Sequence, residues 1–304
     1  MKISVVTTLY NSSSYIEEFY RRIISCLEKI CISYEIIFVD DGSTDNSLDC
    51  VLPISKANNN VKVIELSRNF GHHKAMMTGL SYTDGDFVLM IDSDLEESPE
   101  LLLSYWEKIK SEPNSDVIYG TLPKRKGSRW ERFSGKIFYR LLNLLSGEKM
   151  PIDIAFSRLM NRNYVKNLLL FKEREMYIGG LWHINGFQQT PIIVQKSSKG
   201  ISTYSLKKKV DMMLNAITSF SSMPLQMIFY FGFFTTLSSL LLVLYYIFIR
   251  LFFHPLLSGW TSLILVVLVM SGVIIMSLGI IAIYLSKIFI EVKQRPYTIV
   301  RNIY

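Results

Sequence analysis

Glu35-Ile36-Ile37-Phe38-Val39-Asp40-Asp41-Gly42-Ser43 and, further on, Asp86-Phe87-Val88-Leu89-Met90-Ile91-Asp92-Ser93-Asp94 decide how this chain folds. Each is an apolar run of strand length that ends in paired carboxylates. Similar runs recur at residues 3–9, 61–66 and 116–120. Between the first four lie segments at 15–30, 45–57 and 73–82 whose apolar residues repeat at helical spacing, and a fourth, 99–110, opens with Pro99 in its first turn. This alternation predicts an α/β domain: a mostly parallel sheet with helices on both faces. Such sheets bind ligands beyond the carboxyl ends of their strands. That is where Asp40-Asp41-Gly42-Ser43 and Asp92-Ser93-Asp94 fall.

The first strand-to-helix turn, Leu9-Tyr10-Asn11-Ser12-Ser13-Ser14, contains no glycine. It therefore cannot be the Gly-x-Gly-x-x-Gly turn that brings a helix N-terminus onto a dinucleotide pyrophosphate, and no Walker-type Gly-Lys-Ser/Thr is present. A phosphate-bearing ligand needs another counter-charge. Asp92 and Asp94, two carboxylates on one side of an extended turn, can hold Mg²⁺ or Mn²⁺ with positions left open for phosphate oxygens. His72 and His73 are adjacent, so their side chains diverge, which argues against a metal-binding pair.

Two stretches near the C-terminus, 225–249 and 262–286, contain no Asp, Glu, Lys, Arg or His. As a helix each would run ~37 Å, longer than the ~30 Å hydrocarbon core of a bilayer. With only a short link between them, they predict a transmembrane hairpin. The net charge is +7, and its placement is informative. Lys207, Lys208 and Lys209 precede the first span, and Lys287, Lys293, Arg295 and Arg301 follow the second, which puts both termini in the cytoplasm. Cations flanking membrane spans are matched by anionic lipid headgroups, so no nucleic-acid partner is inferred. The N-terminus passes directly into a strand-like run without a cleavage site, and Cys26, Cys31 and Cys50 lack Cys-x-x-Cys spacing, as for reduced packing residues.

Two amphipathic segments complete the plan. In 130–146, Trp130, Phe133, Ile137, Leu141 and Leu144 back a face carrying Arg132, Lys136 and Arg140, as in a helix lying in the membrane interface. In 206–222, Val210, Met213, Leu214, Ile217 and Phe220 form a similar juxtamembrane stripe behind the lysine triplet. The expected organisation is thus a catalytic domain over 1–205, the juxtamembrane helix, two spans and a basic tail over 287–304.

Asp40-Asp41-Gly42-Ser43, Arg68-Asn69-Phe70-Gly71-His72, Asp92-Ser93-Asp94-Leu95, Ile217-Thr218-Ser219-Phe220-Ser221 and Glu291-Val292-Lys293-x-Arg295-Pro296 together resemble the bacterial polyprenyl-phosphate glycosyltransferases, relatives of dolichyl-phosphate mannose synthase within glycosyltransferase family 2. The likeness spans essentially the whole chain. It implies a GT-A fold that takes a nucleotide-sugar donor and inverts at the anomeric carbon. It also implies polyprenyl (undecaprenyl) phosphate as the acceptor, the bacterial cytoplasmic membrane as location, and cell-surface glycans as the destination. Thr8, Tyr10, Asn11, Asp40, Asp41 and Ser93 would contact the donor, while Asp92 and Asp94 would face its diphosphate and the divalent metal. The sequence leaves the sugar and the oligomeric state open.

The chain also departs from the pattern. Thr8 and Ser12 stand where Pro and Glu are usual, and 155–160 read Ala-Phe-Ser-Arg-Leu-Met in place of Gly-Asp-Phe-Arg-Leu-Met, without the acidic residue. The nearest carboxylate is Asp153. A lipid phosphate is already an anion and needs cations and alignment more than a base. Arg125, Arg129 and Arg132, at the start of the interfacial helix, are candidates to hold it. A sugar-hydroxyl acceptor would instead need a carboxylate base, for which Asp153, Glu173 and Glu175 are the candidates. A non-catalytic membrane scaffold would have no use for Asp92 and Asp94.

Overall fold

The computed structural model describes residues 1–30, 33–122, 154–174, 178–195, 223–252 and 259–304. The chain divides into two compact units, Met1–Gly135 with Met150–Tyr204 and Gln294–Tyr304, and Lys136–Lys149 with Ser205–Lys293.

The first unit is an α/β domain. Its opening half runs β1 (Lys2–Leu9), α1 (Ile16–Ile30), β2 (Ser33–Asp40), α2 (Ser47–Ala57), β3 (Val61–Leu66), α3 (His72–Ser81), β4 (Phe87–Met90), α4 (Leu101–Ser111) and β5 (Val117–Thr121). After the undescribed 123–153 come β6 (Ile154–Asn161), α5 (Arg162–Leu168), α6 (Ile178–Ile184) and β7 (Gln189–Ile193), and the chain later returns with β8 (Val300–Ile303). The described strands form one sheet in the order β7-β5-β6-β4-β1-β2-β3-β8.

The predicted parallel arrangement holds for β4-β1-β2-β3, whose pairings are all parallel. The sheet as a whole is mixed. β6 runs antiparallel to both β4 and β5, and β8 runs antiparallel to β3. The parallel centre follows from its helical crossovers, which return each strand in the same direction. β6 and β8 arrive after long excursions that impose no such direction.

The sheet buries both faces, as near-continuous apolar strands require. On one face Val5, Phe38 and Leu89 pack under Phe19 and Ile23 of α1, Val51 of α2 and Leu102 of α4. On the other, Val6, Val39, Met90 and Met160 pack under Ala75 and Met76 of α3, Tyr164 of α5 and Leu181 of α6.

β8 changes the expected organisation. Residues 300–303 were to belong to a basic tail; instead they extend the catalytic sheet, pairing Ile64 with Ile303, Glu65 with Asn302 and Leu66 with Val300. Glu65 anchors the strand, accepting hydrogen bonds from Arg301 at 3.0 Å, Asn302 at 2.8 Å and the Tyr304 hydroxyl at 2.9 Å. Burial opposes ionisation of Glu65, but these donors outweigh it and hold the carboxyl below its usual range.

The described part of the second unit is two long helices that touch each other, α7 (Met223–Phe252) and α8 (Trp260–Val292). They cover both predicted apolar stretches and overrun them at each end. Within α8, Val269–Val292 is 24 residues of mean hydropathy 2.4, long and apolar enough to cross a membrane. Among the described residues it is the one segment that meets both requirements. The expected interfacial helix 130–146 and juxtamembrane helix 206–222 lie outside the described residues.

Candidate active site

The carboxyl ends of β1, β2 and β4 lie side by side, because β1 is hydrogen-bonded to both of the others. The turns beyond them, 10–14, 41–46 and 92–96, therefore share one rim of the sheet.

The first two turns are joined through side chains. Asn11 adopts a left-handed conformation (φ 53°), which Asn tolerates better than most residues. There its Oδ1 accepts from the backbone N–H of Thr44 at 2.9 Å, while its own N–H donates to Ser43 Oγ at 3.2 Å. Ser12 N donates to Ser47 Oγ at 2.8 Å and Ser13 N to Asp45 at 3.1 Å. Asn11 thus clamps the β2–α2 turn, while Tyr10 beside it stands 51% exposed, its ring available to a flat ligand.

Asp40 and Asp41 are both buried. Asp40 accepts from the Ser43 hydroxyl. The two oxygens of Asp41 accept from the backbone N–H groups of Phe70 (2.7 Å) and Gly71 (2.9 Å), so this carboxylate pins the loop after β3. Burial raises both carboxyls, and these hydrogen bonds pull the other way. Gly42 makes the close approach feasible: it has φ +67°, and a Cβ there would lie 2.5 Å from the backbone of Arg68 and of Asn69. The sequence places Asp41 against a ligand; the geometry gives its carboxylate an internal task.

At the end of β4, Ser93 Oγ donates to the carbonyl of Thr8 at 2.9 Å, fastening the acidic turn to β1. Asp94 Oδ1 accepts from the backbone N–H of Glu96 at 2.9 Å. His72, the first residue of α3, bridges the same two strands. Its Nδ1 lies 3.0 Å from Thr8 Oγ1, and its Nε2 lies 3.4 Å from Asp92 Oδ1. Desolvation, with a smaller contribution from His73, lowers the imidazole pKa to about 4, which leaves it neutral at physiological pH. The imidazole rings of His72 and His73 lie 5.6 Å apart, centroid to centroid, and it is His72 that belongs to the site. The signal was its place at the mouth of a helix just beyond a strand end.

Two further residues escaped the sequence. Glu97, fully buried, accepts from the backbone N–H groups of Phe156 (2.8 Å) and Ser157 (2.7 Å), tying the acidic turn to β6. Phe156, in the position where the resemblance expects an acid, packs its ring 4.6 Å from His72 and 5.6 Å from Trp182. Of the other candidates, Glu173 lies after α5, while Arg125, Arg129, Arg132, Asp153 and Glu175 fall outside the described residues.

Among the described residues no three or more His, Cys, Asp or Glu side chains converge on one point. The acidic turn itself carries two carboxylates, Asp92 and Asp94. Such a set suits Mg²⁺ or Mn²⁺, which commonly take one or two protein carboxylates and complete their shell with phosphate oxygens and water. The donor set thus fits a metal that arrives with a nucleoside diphosphate.

The profile described as Glycosyl transferase family 2 matches residues 4–169, more than half the chain. The chain belongs to glycosyl transferase family 2. It is accordingly a glycosyltransferase with a GT-A-like mixed sheet, and the rim just described lies inside the matched region. Relatives align over the full chain. A Mycobacterium tuberculosis protein named as a glycosyltransferase is 46% identical over 304 residues, covering 100% of this chain and 89% of that protein. The uncharacterized glycosyltransferase YkcC of Bacillus subtilis is 34% identical, with 100% and 94% covered. The bactoprenol glucosyl transferase of Shigella phage SfV is 30% identical over 305 residues, 99% of each chain. Among solved structures, mannosyl-3-phosphoglycerate synthase from Rubrobacter xylanophilus superposes with a TM-score of 0.48 at 18% identity, covering 71% of this chain and 72% of that one.

Proposed function

We propose that this family 2 enzyme is a membrane-bound inverting glycosyltransferase. It would move a sugar from a nucleotide-sugar to polyprenyl phosphate at the cytoplasmic face. One observation carries the reading: the likeness to proteins named bactoprenol glucosyl transferase covers 99% of this chain, and so includes both long helices as well as the body of the sheet.

The chain's path supports a two-span anchor. β1 to β7 precede α7, β8 follows α8, and β8 is hydrogen-bonded to β3. A chain that leaves a sheet and returns to it crosses a bilayer an even number of times. If α8 spans, a second crossing must bring the chain back, and α7 suits it, since its 30 residues exceed the ~20 that a bilayer needs. The sheet, with both of its flanking segments, then stays on the cytoplasmic side.

In the proposed reaction an oxygen of the lipid phosphate attacks the anomeric carbon of the donor sugar. The bond from that carbon to the nucleoside diphosphate breaks, the diphosphate leaves with the electron pair, and the configuration inverts. The nucleophile is already anionic, so no general base is required. Tyr10, Asn11, Asp40 and Asp41 shape the nucleoside end of the site, with Thr8 and Ser93 tying β1 to the acidic turn. Asp92 and Asp94 would hold the divalent ion, which supplies positive charge to the departing diphosphate. Arg125, Arg129 and Arg132 are assigned to the acceptor phosphate.

Membranes containing the enzyme, given a panel of labelled nucleotide-sugars, should transfer label into the lipid phase only when polyprenyl phosphate is supplied. Transfer that requires a lipid-linked glycan with a free hydroxyl, and ignores polyprenyl phosphate, would overturn the acceptor assignment.

A further inference from the structure

Arg158 is the largest fully buried side chain of the described residues, 1% exposed in the middle of β6. It lies opposite Met90 on β4, two residues before Asp92, and opposite Tyr119 on β5. Strand alternation puts it on the same face as Phe156 and Met160. Its guanidinium carbon sits 3.1 Å from the centre of the Trp182 ring and 5.8 Å from that of Tyr119. The Tyr164 hydroxyl donates to the carbonyl of Trp182 at 3.2 Å. Nε and Nη1 of Arg158 find no acceptor, and neither does the indole Nε1 of Trp182, itself only 6% exposed.

Other buried charges of this domain are treated differently. Glu35 is met by Ser4, Lys2 and Lys62, Asp41 and Glu97 each by two backbone N–H groups, and Glu65 by Arg301, Asn302 and Tyr304. Among the described residues Arg158 forms no ion pair with a carboxylate. An uncompensated buried charge destabilises a fold, and apolar replacements of similar volume are commonly neutral or stabilising. The partners of the Arg158 charge are the Trp182 and Tyr119 rings, and they leave Nε and Nη1 without an acceptor.

The chemistry of the three idle groups narrows what they serve. All are donors, none is an acceptor, and the cluster carries a positive charge. A cation is repelled there. A neutral hydroxyl would satisfy one donor and leave the charge unmatched. An oxyanion supplies both negative charge and several lone pairs. The cluster also borders the reaction rim: Phe156 lies between Trp182 and His72, and His72 reaches Asp92.

We propose that Arg158 and Trp182 form an oxyanion subsite of the transfer site. It would take the phosphate headgroup of the acceptor or a carboxylate on the transferred sugar. The proposal rests on the reading of this rim as the site of sugar transfer. Trp182 covers the guanidinium, so an entering oxyanion must shift the indole, and Trp182 fluorescence reports its arrival.

The test uses the full-length enzyme in detergent, without turnover, so it can fail while the transfer reaction stands. Inorganic phosphate and glucuronate are titrated separately at ionic strength matched with chloride, and tryptophan emission is followed. A saturable change is expected, absent in Trp182→Phe, with affinity at least tenfold weaker in Arg158→Met and less affected in Arg158→Lys. A response to phosphate assigns the subsite to the acceptor; a response to glucuronate alone assigns it to the sugar. Response to neither anion overturns the proposal, as does an Arg158→Met protein that binds like wild type. Arg158→Met should also melt no lower than wild type. A fall of more than about 5 °C would mark Arg158 as a structural residue and overturn the proposal independently.

Discussion

Replacing Gly42 with Ala tests whether the approach of the β2–α2 turn to the loop after β3 builds the donor site. Two costs are involved. The backbone at φ +67° is left-handed, which costs a side-chain-bearing residue about 1–2 kcal/mol. The new Cβ would also lie 2.5 Å from the backbone of Arg68 and of Asn69, which cannot swing aside as a side chain can. Forced overpacking of this kind adds about 1–3 kcal/mol. The loop must retreat, and it carries the Phe70 and Gly71 N–H groups bound to Asp41 at 2.7 and 2.9 Å. Gly186 provides the control, since it has φ +69° but no neighbour within 4 Å of an added Cβ. Gly186→Ala should therefore incur the backbone cost alone. At roughly 2–4 °C per kcal/mol for a domain of this size, Gly42→Ala should melt roughly 4–20 °C below wild type and Gly186→Ala roughly 2–8 °C below. Thermal unfolding reads the difference. Steady-state kinetics should show donor KM raised about tenfold or more in Gly42→Ala, with kcat less affected. If the two variants melt together, or Gly42→Ala keeps its donor KM, the close approach does not shape the site.

Asp94→Ala should leave the melting temperature unchanged while lowering transfer roughly 10²–10³-fold, in line with several kcal/mol of lost charge stabilisation; undiminished turnover by wild type in excess EDTA would remove the metal from the scheme. Glu65 titrates below its usual range when folded, so the stability it lends β8 is present above about pH 4.5 and is lost as pH falls through the lowered value. Hydrogen exchange should accordingly show the β8 amides loosening at acid pH before those of β1, with Glu65→Gln loose at all pH values; equal protection of both strands throughout would contradict the anchor. For topology, Ser258→Cys should react with an impermeant thiol reagent from outside intact cells and Arg295→Cys only after permeabilisation. Labelling of Arg295→Cys in intact cells would place β8 on the wrong side.

The centre of the domain was legible because its signals are local. β1 to β5 and α1 to α4 each carry their own periodicity, and the acidic turns announce themselves at strand ends. β8 was not legible, since Val300-Arg301-Asn302-Ile303 is short and half polar and becomes a strand only by pairing with β3. Direction in β6 was hidden for the same reason: nothing in Ala155-Phe156-Ser157-Arg158 states which neighbour it will meet. The buried polar residues were the hardest. Glu97 reads as one more acid in an acidic turn, and nothing in the sequence around Arg158 marks it as buried. Their roles exist only once β4 and β6 lie side by side. His72 was set aside by a sound rule about adjacent histidines that asks whether two side chains meet, not whether one of them reaches a third partner.

Strand β8 also sets an order of events during synthesis. The ribosome delivers it after both long helices, so a nascent chain holding β1 to β7 still exposes the outer edge of β3, a row of unpaired backbone groups open to the wrong partner. That edge closes only when β8 arrives. By then both long helices, α7 and α8, have been synthesised. The loop carrying Phe70 and Gly71 springs from the same strand, so the donor rim gains its last support at that moment. A chain released before β8 is made would lack a finished sheet and keep that edge of β3 exposed.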